Sequence, residues 1–280
     1  MTLSTIRNNP AKQKKVKTKK QKAIAATCAV AFWLLVWHVV SLCVSSELVL
    51  VSPVKVVQTL FTVIFDPDFL KTVWYSAARI LGGFFTALTL GTVLGWVASR
   101  FWVVETLLRP ITAVIKATPV ASFIILALVW LDSRRLPLFI AALMALPVVY
   151  RNVLEGIRST SRELLEMARV FRVPFSRRLR GVDLPQVLPY FRAAADTALG
   201  LSWKAGTAAE VIGLCSGTIG ERLYTAKVYF QTADLFAWTA VIVLLSVLFE
   251  NLFLRGVDAH KDQSYVLYQM TQRQLAHLLL

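Results

Sequence analysis

Four ionisable side chains stand inside apolar runs of this sequence: Arg79, Lys116, Lys204 and Glu210. A charge in hydrocarbon is costly. It persists where it snorkels to an interface, finds a partner, or faces a polar path through the membrane. Three of the four are cationic, a set whose summed field would draw a small anion. Snorkelling, or pairing with Glu210, would account for the same residues without any ligand. Lys204 and Glu210 are six apart, off one helical face, so they do not simply pair with each other. Glu210 is therefore read as a partner for Arg79 or as a gate residue. Pro119, in Lys116-Ala117-Thr118-Pro119, should kink or break its span. Trp203 adjoins Lys204, and these six positions form the candidate set for a path.

Other chemistry is poorly represented. G-x-x-x-x-G-K-[ST] does not occur, so the chain lacks the usual means of hydrolysing ATP itself. Neither G-x-S-x-G nor H-E-x-x-H occurs. Cys28 and Cys43 fall at opposite ends of one predicted helix, too far apart to bridge. No Cys or His spacing suggests a metal. No catalytic residue, metal or cofactor is expected, and the chain is not read as an enzyme.

A second concentration of charge runs from Arg158 to Pro189. Thr160 and Glu163 have capping-box spacing, which satisfies free backbone donors at a helix start. Leu164, Leu165, Ala168 and Phe171 then share one predicted face, and Arg162, Glu163, Glu166 and Arg169 the other. Pro174 should break that helix. Phe175–Arg180 reads as a short basic turn ended by Gly181. Pro189 suits the first turn of the next helix. The segment reads either as a solvated connection obeying the positive-inside rule or as a docking element for a soluble partner.

The elements that would hold these residues follow from composition. The 280 residues are 56% hydrophobic, with mean hydropathy +0.60. That is too apolar for a soluble domain of this length and points to a polytopic, all-α membrane protein. The net charge of +15 lies mainly in two segments. Residues 1–22 form a basic arm without interleaved aromatics, read as a cytoplasmic topology signal touching anionic lipid; nucleic-acid binding is not expected. Six spans are predicted: 23–44, about 71–100, 109–130, 138–150, 190–214 and 234–254. The fourth should continue as helix past Arg151. A short amphipathic helix is expected from Pro53, and Gly91 and Gly95 form a GxxxG packing signal. Residues 23–255 make the membrane domain, and 256–280 a cytoplasmic tail. Of the Lys and Arg residues, 22 fall on the predicted inner segments and 6 on the outer. That places both termini in the cytoplasm.

Glu166, Met167 and Ala168, with Val182-Asp183-Leu184-Pro185 downstream, resemble the EAA loop of bacterial ABC-importer permeases; Arg172 stands where that pattern usually has Gly. The segment Glu163–Pro185 is similar, more narrowly, to permeases for nitrate, taurine and aliphatic sulfonates. The resemblance covers about 72–255, with the loop at 158–189. It implies a type I ABC-importer permease in the bacterial inner membrane that moves a small solute, here a nitrate-, sulfonate- or taurine-type anion. It implies a second, identical permease subunit, cytoplasmic ATPase subunits and an extracytoplasmic binding protein. Glu163, Glu166, Met167, Ala168, Arg169, Phe171 and Arg172 would then couple to the ATPase. A stand-alone secondary carrier or channel, or a membrane scaffold with a basic docking loop, are the alternatives.

Overall fold

The computed structural model describes residues 19–44, 46 and 48–278. Most of the basic arm, residues 1–18, lies outside the described residues. Residues 1–55 and 56–280 are two compact units. In the first, α1 (Lys19–Val44) is a single helix. It carries exposed Phe32, Trp33 and Leu35, and Ser41 donates to the carbonyl of His38 at 2.8 Å.

Among the other described residues the regular elements are all helices. α2 (Pro53–Ile64) is the expected amphipathic helix. Asp66 Oδ1 accepts the N–H of Asp68 at 2.9 Å, making the turn that starts α3 (Phe69–Arg100). Phe101, in an extended conformation, separates α3 from α4 (Trp102–Ala117). Pro110 therefore lies inside α4 rather than opening a span. Thr118 and Pro119 take extended ψ values of 133° and 136°. They separate α4 from α5 (Val120–Ala127), and the two helices meet at 104°. The break expected at Pro119 is thus a near-right-angle corner: Pro cannot donate a helical hydrogen bond, and it pushes the residue before it out of the α region. α6 (Leu136–Arg158) runs on well past Arg151, as its short apolar stretch suggested. α7 (Arg162–Val170), α8 (Phe175–Arg178), a π turn (Leu179–Asp183), α9 (Leu184–Ile212), α10 (Ile219–Val228) and α11 (Thr232–Leu278) complete the order. α10 was not expected, and α11 passes beyond residue 254, so that residues 256–278 continue it.

Among the described residues, four helices are long and apolar enough to cross a membrane, α1, α3, α6 and α11; the bent pair α4–α5 makes up to five. α9 has the length, at 29 residues, but Arg192, Asp196, Lys204 and Glu210 dilute its apolar character.

α3, α6 and α9 form the core. α3 buries Ala77, Ile80, Phe84, Ala87, Gly91 and Ala98 along one stripe at helical spacing. Small residues let the backbones close up, since helix association in lipid depends on packing rather than on a hydrophobic drive. A Cβ on Gly91 would stand 2.8 Å from Val149 Cβ, and one on Gly95 3.0 Å from Val153 Cβ. The first is closer than real atoms come and the second is tight enough that Val153 would have to give way, so the GxxxG pair is spent on contact between α3 and α6. Gly206 does the same for α9, where a Cβ would meet Ile80 Cγ1 at 2.7 Å. Exposed hydroxyls on α3 are closed locally: Thr86 and Thr89 each donate to the carbonyl four residues earlier. That removes polar groups from contact with lipid.

Candidate functional site

The loop between α6 and α9 is built as a rigid piece. Its cap is Ser161, not Thr160: Ser161 Oγ accepts the N–H of Leu164 at 3.4 Å. The cap moves by one because the Ser161 backbone N–H is itself held, donating to Gln186 Oε1 at 2.8 Å. Gln186 Nε2 donates to the carbonyl of Val182 at 3.2 Å. One side chain thereby pins the start of α7 to the first turn of α9. Nearby, Gly156 lets Tyr190 close on α6; a Cβ there would meet Tyr190 Cβ at 2.8 Å.

On α7, Leu164 and Leu165 are half-buried and Ala168 is the one fully buried residue. Glu163, Glu166 and Arg169 are exposed, as the pattern required. Phe171 departs from it: it is 65% exposed and lies outside the buried face. The helix ends at Val170, so position 171 no longer follows the α-helical repeat. Met167, Val170, Phe171 and Phe175 are all exposed, an unusual concentration of apolar side chains in a basic loop. Arg172 has φ of 48°, the left-handed residue that follows a helix end. Val173 N–H reaches back to the Ala168 carbonyl at 2.9 Å, closing a Schellman turn.

Beyond Pro174 there is no free turn. α8 passes through the π turn into α9 without a stop, so Gly181 ends nothing. The Leu184 N–H bonds the Leu179 carbonyl, five residues back. Pro185 follows and has no N–H to offer. Pro189 lies inside α9, and Pro185 occupies its first turn. Arg178 Nε donates to Asp183 Oδ2 at 3.2 Å across the widened turn.

The path candidates fall into two groups. Lys204 is exposed on α9. Ala193 and Thr197, also exposed, and half-buried Gly200 precede it on the same face at helical spacing, and nothing lies within 4 Å of where a Gly200 side chain would start. Asp196 flanks this stripe and is likewise exposed. Lys116, at the end of α4, and Pro119, at the corner, are exposed too. Trp203 is not: it is 1% exposed and stacks on Phe249 with ring centres 5.7 Å apart. It is a packing residue between α9 and α11.

Arg79 and Glu210 do not pair. The Arg79 guanidinium lies over the Tyr75 ring, 5.6 Å from its centre, a cation–π arrangement. Glu210, fully buried, is a fastener. Its Oε2 accepts from Ser76 Oγ on α3 at 2.9 Å and from the Gly220 N–H at 3.1 Å. Ser76 Oγ in turn accepts the Ile219 N–H at 2.9 Å. These are first-turn donors of α10, which have no partner inside their own helix. Gly220 is required, because a Cβ there would fall 2.2 Å from Glu210 Cβ. Thr218 caps the helix by accepting the Glu221 N–H at 3.2 Å, and Cys215 Sγ donates to the Ser133 carbonyl at 2.8 Å. Three helices and the α5–α6 turn are joined here. Ser76 and Thr218 were missed in the sequence. Thr218-Ile219-Gly220-Glu221 carries the same capping-box spacing that Thr160 and Glu163 do, and here the cap sits where the spacing puts it.

Comparison with known proteins agrees with this architecture. The family model described as the binding-protein-dependent transport system inner membrane component matches residues 87–265. SsuC of Bacillus subtilis (strain 168), provisionally named an aliphatic sulfonates transport permease protein, is 28% identical over 80% of this chain and 81% of its own. The taurine transport system permease protein TauC of Escherichia coli (strain K12) is 27% identical over 76% of this chain and 80% of its own. The nitrate import permease protein NrtB of Synechocystis sp. (strain ATCC 27184 / PCC 6803 / Kazusa) is 25% identical over 68% and 72%. In fold, a chain of the crystal structure of an amino acid ABC transporter with histidines aligns with TM-score 0.53 and 16% identity. It covers 73% of this chain and 97% of that one.

Proposed function

Because the chain belongs to the family of binding-protein-dependent transport system inner membrane components, and is thus a multi-pass permease component of an ABC importer, we propose that it moves a small anion of the sulfonate, nitrate or taurine type. Two copies form the pore. An extracytoplasmic binding protein delivers the solute, and a separate cytoplasmic ATPase drives the cycle. The observation that carries this reading is the α6–α9 loop. It is pinned at its neck by Gln186, and it exposes Met167, Val170, Phe171 and Phe175 beside Glu163, Glu166 and Arg169. An apolar patch on a short rigid helix fits a groove on a soluble partner, and a rigid piece passes a rigid-body shift to the helices it joins.

The test is gentle solubilisation of the tagged protein and identification of what co-purifies. A P-loop ATPase is expected in stoichiometric amount, and its recovery should fall severalfold with Glu166→Arg, which reverses a charge beside the patch. A protein recovered alone that still moves solute in vesicles would instead be a stand-alone carrier.

The solute is proposed from the relatives' named substrates and from the α9 stripe. An exposed Lys on a helix at membrane depth needs water or a partner rather than lipid, and the open face at Gly200 gives it room. Lys204→Glu should raise the half-saturating concentration of an anionic solute about tenfold, the order expected for losing a charge-assisted contact. Assembly should be unchanged. If uptake of the same anion kept its concentration dependence, Lys204 would not lie on the path.

A further inference from the structure

α4 begins on the same side of the core as the end of α6, and the two are bound by more than apolar contact. Val104 and Leu108 of α4 pack against a cluster holding Tyr150 and Leu154 of α6. At its edge Arg158, the last residue of α6, grips Glu105 with both guanidinium nitrogens. Nη1 donates to Oε1 at 3.0 Å, and Nη2 donates to Oε2. Such a two-pronged pair fixes orientation as well as distance, which apolar packing alone does not. Arg158 stands three residues before Ser161, the residue that Gln186 holds. The pair is thus at the root of the loop. Its other end is the first turn of α4, whose far end is the 104° corner at Thr118 and Pro119.

We propose that Glu105 and Arg158 are positioning residues that make α4 move with the α6–α9 loop, so that displacement of the loop is delivered to the α4–α5 corner. This rests on the transport reading above. Apart from the α3 side of that cluster, at Leu94 and Ala98, α4 has little else to follow. It buries only Thr112 and Ile115, and Phe101 joins it to α3 through one extended residue. A helix so lightly seated would lag behind the loop unless a directional contact tied the two. The link explains why an ion pair that is partly open to water, with the Arg158 side chain 47% exposed, has two-pronged geometry rather than the loose contact usual at a surface.

The experiment is a double-mutant cycle in the assembled transporter, using Glu105→Gln, Arg158→Gln and the double variant. Solute moved and ATP hydrolysed are measured in the same vesicles. Each single variant is expected to lower solute moved per ATP about fivefold, and the double variant no further, because either change removes the whole link. ATPase recovery on co-purification should match the unaltered protein, which a merely unfolded variant would not. Fivefold losses that multiply to about twenty-five-fold would overturn the proposal, as would unchanged solute per ATP in an assembled complex. If no ATPase co-purifies even with the unaltered chain, the transport reading itself fails, a result separable from either outcome.

Discussion

Ala168→Phe should abolish ATP-driven uptake while the permease still reaches the membrane in near-normal amount. Ala168 is 4% exposed and is the single buried residue of α7. Its carbonyl accepts the Val173 N–H that closes the helix. A ring in that place has no room unless α7 lifts. Overpacking of this kind costs about 1–3 kcal/mol in a well-packed core. A nine-residue helix has almost no stability of its own in water, so tertiary contact is what holds it. The Schellman turn and the apolar patch from Met167 to Phe175 would move with it, and the presented surface would be lost. The span core is untouched, because Gly156–Tyr190 and the α3–α6 seam lie elsewhere. Ala168→Ser, nearly isosteric, should transport at close to the normal rate. Normal uptake by the Phe variant would mean that the seat of α7 does not matter to coupling.

Glu210→Leu should leave a permease that assembles poorly and melts early. The substitution strands two buried donors, Ser76 Oγ and the Gly220 N–H. Each costs about 1–3 kcal/mol when unmade, and burial of the leucine returns about 2 kcal/mol. The remainder, about 2 kcal/mol at the middle of these ranges, is a sizeable part of the 5–15 kcal/mol typical of a folded domain. A drop in the melting midpoint in detergent of about 5–10 °C is expected, using soluble-domain scaling. Glu210→Gln keeps one oxygen for both donors and should lose much less. Equal losses in the two variants would show that the charge matters and the acceptor does not. An unchanged midpoint in the leucine variant would show that the fastener carries no weight.

Much of the fold was legible because apolar run length and punctuation decide it. The runs giving α1, α3 and the start of α11 are long, the shorter run of α6 reads on as helix past Arg151, and Pro119 fell where the chain turns its corner. The loop's character was legible too: amphipathic spacing put Glu163, Glu166 and Arg169 outside and Ala168 inside. What failed did so for identifiable reasons. Thr160 and Ser161 are both good caps, and only the distant Gln186 decides between them. Gly181 looks like a stop, yet a π turn with five-residue hydrogen bonding carries the helix through it. Glu210 and Arg79 are both buried-run charges, and their types suggest a pair. Nothing local says that the carboxylate is already taken by a serine 134 residues earlier in the chain and by a backbone N–H ten residues later. α10 was hidden by its mixed composition, although its capping box was in plain view. Glu105 and Arg158 could not be matched because nothing in their own segments records the partner.

The left-handed turn at Arg172 bears on how such chains are recognised. The permease loop pattern writes Gly at this place, and the backbone shows what the letter stands for: a positive φ that a residue without Cβ adopts freely and any other at about 1 kcal/mol. Arg172 meets the dihedral, φ 48°, and keeps the turn. What this position asks of its residue here is the sign of an angle. A motif spelled with a mandatory Gly excludes this protein, whereas one spelled as a left-handed residue closing a nine-residue helix includes it.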